Sequence, residues 1–194
     1  MIFEQGSNQN ITENYEWRTY LIAHLLWNVN IDVDSLRSRF LDAHYGKNRS
    51  EFVAKYYDTM QKALLESGMV LNIYGYPIDA KDSYLSPDKI ADYRKFFASA
   101  YAVPPYDGCT DENAKVYNDR LRLLEMPLDF ATLDLSLYEI SPDLSFFTTD
   151  ASGNRIARTE MLDMAQRFVA DCDRLGVKQL DEAKYTPKQM QENI

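Results

Sequence analysis

Side chains that could contact a substrate follow a short apolar stretch at residues 1–3. Met1-Ile2-Phe3 has the composition of the last residues of a buried β-strand, and Glu4-Gln5-Gly6 has that of the polar turn that ends one. Barrel enzymes place functional groups directly after a strand end. The sequence therefore indicates Glu4 as a functional carboxylate, although such a role needs a barrel that these 194 residues do not contain. The alternative is an exposed, frayed N-terminus.

A second candidate set combines an amide with two aromatic side chains. Gln5, Trp17 and Trp27 are of the types that bind sugars, but tryptophans at helical spacing more often belong to a core. Both interpretations stay open. The candidate substrate-binding residues are Glu4, Gln5 and Trp27.

Other kinds of chemistry find little support in the sequence. His24 and His44 are the only histidines, and neither has a second His or Cys at the spacing of metal ligands. On the apolar side of its helix, His24 is expected to be a hydrogen-bonded core residue, whereas His44 is expected to lie partly exposed near a helix C-terminus, where the helix dipole favours a positive charge. Nucleophile, phosphate-loop and dinucleotide motifs are absent. We therefore predict no catalytic residue, no metal and no cofactor.

Paired carboxylates occur at three places in the chain. Acidic residues one or two positions apart more often cap a helix or lie on a solvated face than form an acid–base dyad. The pairs are Asp32/Asp34, Asp111/Glu112 and Asp181/Glu182.

The composition limits the partners. The net charge is −9, with acidic residues spread along the chain. An evenly acidic surface repels nucleic-acid phosphates and anionic lipids, so we expect neither nucleic acid nor a membrane as partner. Cys109 and Cys172 are too few for a disulfide framework, and Cys172 falls on an apolar helical stripe typical of a core position. No signal-peptide pattern is present, so the localisation stays open, including export of a larger parent protein.

Helix start and stop signals are frequent between residues 13 and 194. Apolar spacings of three and four, with capping residues at their ends, predict most of these helices. The predicted segments are 14–28, Asp32 or Asp34 to Gly46, an Asn48/Glu51 capping box to Gly68, Ser86-Pro87 to Pro104, Thr110 to Ile140, Met161 to Gly176, and a short helix from Thr186-Pro187.

The segment from Thr110 is predicted to be the central helix, because two parallel apolar stripes run along it. Pro127 is expected to kink or split this helix. Residues 69–79 suggest a short strand or extended connector, and the stretch from Pro142 to Asn154 suggests a loop. The predicted fold is an all-α bundle of about six or seven helices over residues 13–194, preceded by an extended segment at 1–12.

Four motifs carry a family resemblance. They resemble the region after the catalytic barrel in a family of bacterial carbohydrate-utilisation proteins, which looks distantly like the α-glucuronidases among the glycoside hydrolases. Val29 and His44 depart from the family's pattern, which usually has proline and tyrosine there. The motifs are Phe3-Glu4-Gln5-Gly6, Leu25-Leu26-Trp27-Asn28, Asp32-Val33-Asp34 and Phe40-Leu41-Asp42-Ala43-His44-Tyr45-Gly46.

The resemblance implies that residues 1–8 end the last barrel strand and that the rest is a helical domain packed after the barrel. Glu4 would then contact or assist the substrate, and Gln5 would hydrogen-bond a sugar hydroxyl. The catalytic carboxylate pair of such a hydrolase would lie mainly on earlier strands.

Three hypotheses follow from the sequence. The first is a non-catalytic C-terminal domain that buttresses the barrel of its parent protein or forms a homo-oligomer interface. The second is a stand-alone helical module that binds carbohydrate or protein. The third is a small enzyme that uses Glu4 or His24.

Overall fold

The computed structural model describes residues 14–72, 75–180 and 185–193. These ranges form a mainly helical fold with seven α-helices, as predicted. Glu4 and Gln5 lie outside the described residues. The helices are α1 (Tyr15–Trp27), α2 (Val33–Tyr45), α3 (Ser50–Ser67), α4 (Pro87–Tyr101), α5 (Asp111–Ser136), α6 (Thr159–Leu175) and α7 (Pro187–Asn193).

Several helix ends agree with the capping signals. The Asp32 side chain accepts hydrogen bonds from the backbone N–H groups of Asp34 and Ser35 at 3.1 and 3.2 Å, which fixes the start of α2. The Thr110 hydroxyl accepts from the N–H of Asn113 at the start of α5. Gly176 ends α6 in the left-handed conformation, which a residue without Cβ adopts easily.

The predicted capping box at the start of α3 is wrong. Asn48 donates its side-chain N–H to the carboxylate of Asp107 at 2.9 Å, and its backbone N–H binds the carbonyl of Pro105. The side-chain amide that was predicted to cap α3 is thus hydrogen-bonded to the loop after α4 instead. The helix begins instead at Ser50, after Arg49, whose side chain makes no capping hydrogen bond.

The stretch from Pro142 to Asn154 was predicted to be a loop, but it also contributes to a small hairpin. Strand β1 (Phe147–Thr149) pairs antiparallel with β2 (Arg155–Ala157), with Thr148 opposite Ile156. Asp150 holds the turn, since its carboxylate accepts from the N–H groups of Ser152 and Asn154, each at 2.8 Å.

Helix α5 is the central element, as its two apolar stripes predicted. It packs against α2, α4 and α6 and runs unbroken from Asp111 to Ser136 through Pro127, so of the kink or split predicted there the split does not occur. Burial of a large apolar side chain stabilises a fold by roughly 1.5–3 kcal/mol, so this helix makes a large contribution. Its buried apolar residues include Leu121, Leu124, Leu128, Leu133 and Leu135.

The two histidines differ from expectation. His24 is half-buried against the ring of Tyr20, with centroids 4.5 Å apart, rather than enclosed in the core. His44 lies in the last turn of α2 as predicted, but its imidazole stacks on Phe40. Burial and the nearby Arg120 guanidinium lower the pKa of His44 to about 4, so the ring is neutral and the expected charge–dipole attraction is absent.

Candidate interaction surface and binding cleft

Apolar residues lie all around helix α1, between Glu16, Arg18, Thr19 and His24, yet none of its residues is buried. A helix of this composition is usually enclosed by neighbours on all sides. Within the described ranges α1 packs mainly against α2. Part of its apolar surface is therefore left open to solvent.

The open surface is greatest at the C-terminal end of α1. Trp27, one of the predicted substrate-binding residues, is 93% exposed, and Val29 in the following loop is 78% exposed. With Leu26, which is 53% exposed, they form what we call the Trp27 patch. Large apolar side chains exposed together in one short segment are typical of interaction sites.

A cleft of about 710 Å³ opens at the other end of α1. Aromatic and aliphatic side chains form most of its walls, and polar side chains also line it. We call it the Trp17 cleft, since Trp17 is its half-buried wall on α1, while Trp27 lies outside it. The lining includes Trp17, Tyr57, Met60, Tyr84, Pro127 and Leu128, with Asp34, Arg37 and Gln61 as polar members.

Two of these side chains are held in place before any ligand arrives. The indole of Trp17 packs on Phe40, with ring centroids 5.5 Å apart. Arg37 reaches from α2 to α3, where its Nη2 lies 2.8 Å from Asp58 Oδ1 and donates to the carbonyl of Ala54 at 3.2 Å. The direction of its guanidinium is therefore fixed.

Comparison with known proteins identifies a relation for the N-terminal part of the chain. Residues 1–58 match the model of a domain of unknown function, DUF4838. No curated protein matches the chain, and no solved structure matches it either. The DUF4838 match includes α1, α2, the Trp27 patch and several cleft residues, among them Trp17, Arg37 and Tyr57. The Trp27 patch and part of the Trp17 cleft therefore lie in the segment that is similar to this domain, whose description states no activity.

A cluster of charged residues lies outside the DUF4838 match, between α4, α5 and α6. Asp129 of α5 is fully buried, and its carboxylate contacts Arg122 Nη2 at 2.6 Å and Arg94 Nη1 at 2.8 Å. Arg122 also donates to Asp171 of α6 at 2.6 Å and to Glu125 at 2.9 Å. These contacts tie the three helices together.

The sequence interpretation missed this cluster, although a signal was present. Arg122, Glu125 and Asp129 recur at spacings of three and four along a helix whose other inward positions are mostly apolar. Charged residues at helical spacing lie on one face, where they can pair with each other.

The cluster is arranged for structure rather than proton transfer. Burial lowers the pKa of Arg122, but the surrounding carboxylates, Asp129 foremost, outweigh it and raise the pKa above its usual range. Burial raises the pKa of Asp171, yet hydrogen bonds from Arg174 and Arg122 dominate and lower it. Near neutral pH Asp171 thus stays ionised and cannot act as a general acid.

Within the ranges that the structure describes, no group of three or more His, Cys, Asp or Glu side chains could hold a metal ion. Cys109 and Cys172 are both free thiols. Among the described helices, none combines the length and apolar character needed to cross a membrane.

Proposed function

We propose that this chain is a non-catalytic helical domain that docks onto a neighbouring domain of a carbohydrate-active protein through the Trp27 patch. The observation that carries this proposal is the exposure of Trp27, at 93%, on a helix whose apolar residues lie all around its axis with none buried. Covering a tryptophan and its apolar neighbours releases water from a large area, and tryptophan is among the residues that contribute most to binding at interfaces.

The charge cluster supports the non-catalytic part of the proposal. Asp171 is held ionised by Arg122 and Arg174, and Asp129 is enclosed by Arg122 and Arg94. A glycoside hydrolase needs one carboxyl group that is protonated near its working pH and a second that is ionised. For Asp171, the hydrogen bonds from Arg174 and Arg122 oppose the protonated form.

The identity of the partner rests on the sequence resemblance. The Phe3-Glu4-Gln5-Gly6 and Leu25-Leu26-Trp27-Asn28 motifs resemble the segment that follows the barrel in glycoside hydrolase-like proteins. We therefore propose a barrel domain as the partner, either in the same polypeptide or in a second one. A homo-oligomer is the competing arrangement for the same patch.

Site-specific photo-cross-linking in the native host tests the proposal. A benzophenone amino acid replaces Trp27 in one strain and Lys95 in a control strain. Lys95 lies on α4, is exposed, and pairs only with its neighbour Asp92 in the described structure. Adducts from position 27, but not from position 95, are expected on a polypeptide with a carbohydrate-active barrel domain. Equal adducts from both positions, none from position 27, or adducts solely between copies of this chain would overturn it.

Carbohydrate binding by the domain itself is a second candidate function. The Trp17 cleft favours it, because a cleft of about 710 Å³ combines aromatic walls with polar side chains. This space is separate from the Trp27 patch. The two functions are therefore compatible in one domain.

A further inference from the structure

We propose that the Trp17 cleft binds a neutral saccharide, and that Asp34, Arg37 and Gln61 are the residues that recognise its hydroxyl groups. This inference rests on the second candidate function, carbohydrate binding by the domain itself, and is independent of docking through the Trp27 patch. About 15 Å of helix separates Trp17 from Trp27 along α1, at the rise of 1.5 Å per residue. A failure of one proposal leaves the other intact.

The size and walls of the cleft fit a sugar ring. Its volume of about 710 Å³ lies within the range of ligand pockets, roughly 300–1,000 Å³. Pyranose rings have apolar C–H faces and a polar edge of hydroxyl groups. The indole of Trp17 and the phenol ring of Tyr84 line the cleft and are each half-buried. They offer flat apolar surfaces on which such a face can pack.

Three polar side chains in the lining supply donors and acceptors for hydroxyl groups. The carboxylate of Asp34 and the amide of Gln61 make no side-chain hydrogen bond or ion pair within the described ranges. Arg37 uses Nη2 for Asp58 and Ala54, which leaves its Nε and Nη1 donors unengaged in the same ranges. A hydroxyl group both donates and accepts, so this mixture of groups suits a polyol.

Charge argues against an anionic ligand. The positive charge of Arg37 is already balanced by Asp58 at 2.8 Å, and the free carboxylate in the lining is that of Asp34. A phosphate or carboxylate ligand would therefore meet an uncompensated negative charge. A neutral saccharide meets no such repulsion.

The recognising groups are also preorganised. The Arg37 guanidinium is anchored to α3 and lies 5.9 Å from the centroid of the Tyr57 ring. The indole of Trp17 packs on Phe40, with ring centroids 5.5 Å apart. Ordering side chains on binding costs free energy, so a site that is ordered beforehand binds more tightly. The cleft meets this condition for its aromatic wall and its cationic donor.

Nuclear magnetic resonance with an array of neutral oligosaccharides and uronates tests the proposal. The chain contains two tryptophans, whose indole N–H resonances report the two ends of α1 separately and are assigned with Trp17→Phe. A neutral saccharide is expected to shift the Trp17 resonance and to leave that of Trp27 in place. Shifts of both resonances, or of neither, would overturn the proposal, as would a preference for the uronates.

Substitutions in the lining then test the polar contacts. Asp34→Ala and Gln61→Ala are each expected to weaken the calorimetric saccharide Kd about tenfold or more, because each removes hydrogen bonds to the ligand. Asp88→Ala is the matched control: Asp88 lies in the first turn of α4, as Asp34 lies in the first turn of α2, but outside the cleft. Unchanged affinity in both cleft variants, or equal weakening in the control, would overturn the assignment.

Discussion

Arg122 and Asp129 lie two turns apart on α5, and their Nη2 and Oδ2 atoms approach to 2.6 Å inside the fold. Asp129 meets a second cation, Arg94 of α4, on its other carboxylate oxygen. Arg122 continues the chain of contacts to Asp171 of α6. One buried carboxylate thereby sets the position of α5 relative to two neighbouring helices.

Replacement of Asp129 by asparagine is expected to destabilise the fold strongly. The substitution keeps the side-chain shape but leaves Arg122 and Arg94 facing each other without the buried counter-charge. Breaking a buried ion pair by removal of one partner costs about 3–5 kcal/mol in free energy of unfolding. Urea denaturation followed by circular dichroism measures this difference. A loss below about 1 kcal/mol would show that solvent already screens the cluster.

Asp92→Asn is the control for loss of a carboxylate. Asp92 pairs with Lys95 at 2.7 Å on the exposed face of α4, where both side chains are largely solvated. Exposed ion pairs contribute roughly 0–1 kcal/mol. The same charge change should therefore have little effect there.

Gly46→Ala is expected to destabilise the fold more than Gly68→Ala. Both glycines end helices with positive φ, at 93° and 65°, so alanine is strained at either site by roughly 1–2 kcal/mol. Only at Gly46 would the added Cβ collide with backbone, 2.4 Å from the carbonyl oxygen of Pro105, whereas Gly68 has open space. Thermal unfolding of both variants measures the difference. Equal losses would mean that the 103–107 loop moves aside freely.

Local signals explain how much of the fold could be predicted. Ser86-Pro87 at the start of α4 and Gly176 at the end of α6 act within one helical turn, so their meaning can be read from neighbouring residues. The central position of α5 could be predicted as well, because the spacing of its apolar residues is also a local property of the sequence. The capping box predicted at Asn48 was wrong because the side-chain amide of Asn48 donates a hydrogen bond to Asp107, which is 59 residues away in sequence.

The candidate sites depend on contacts that one sequence does not show. Arg94 and Asp129 are 35 residues apart, so nothing local indicates that they pair. Trp17 and Trp27 look alike on the same helix, yet one lines a cleft and the other is exposed. The difference comes from residues of α2, α3 and α5, which line the cleft together with Trp17 but do not reach Trp27. The roles predicted for Glu4, Gln5 and Trp27 stay predictions.

The two cysteines are expected to react at very different rates with Ellman's reagent. Cys172 is fully buried on α6, and burial foremost raises the pKa of its thiol to about 12, so the reactive thiolate is scarce as well as enclosed. Cys109 lies half-buried in the loop before α5. One thiol should react in the folded protein and a second only in denaturant, with Cys109→Ser removing the first. Rapid reaction of both thiols in the native state would contradict this.

Acid is expected to destabilise the fold through His44. The folded-state pKa is about 4, below the ordinary value of 6.5, so between these pH values the unfolded chain takes up a proton that the folded chain does not. The stabilisation is complete above pH 6.5 and is lost as the pH falls towards 4, at most by about 1.4 kcal/mol per pH unit for one proton. His44→Phe keeps an aromatic ring against Phe40 and removes the titrating group. Urea denaturation at several pH values should therefore give a shallower decline for this variant, by about 2 kcal/mol in all after allowance for partial solvation. Parallel profiles for the two proteins would assign the acid sensitivity to other groups.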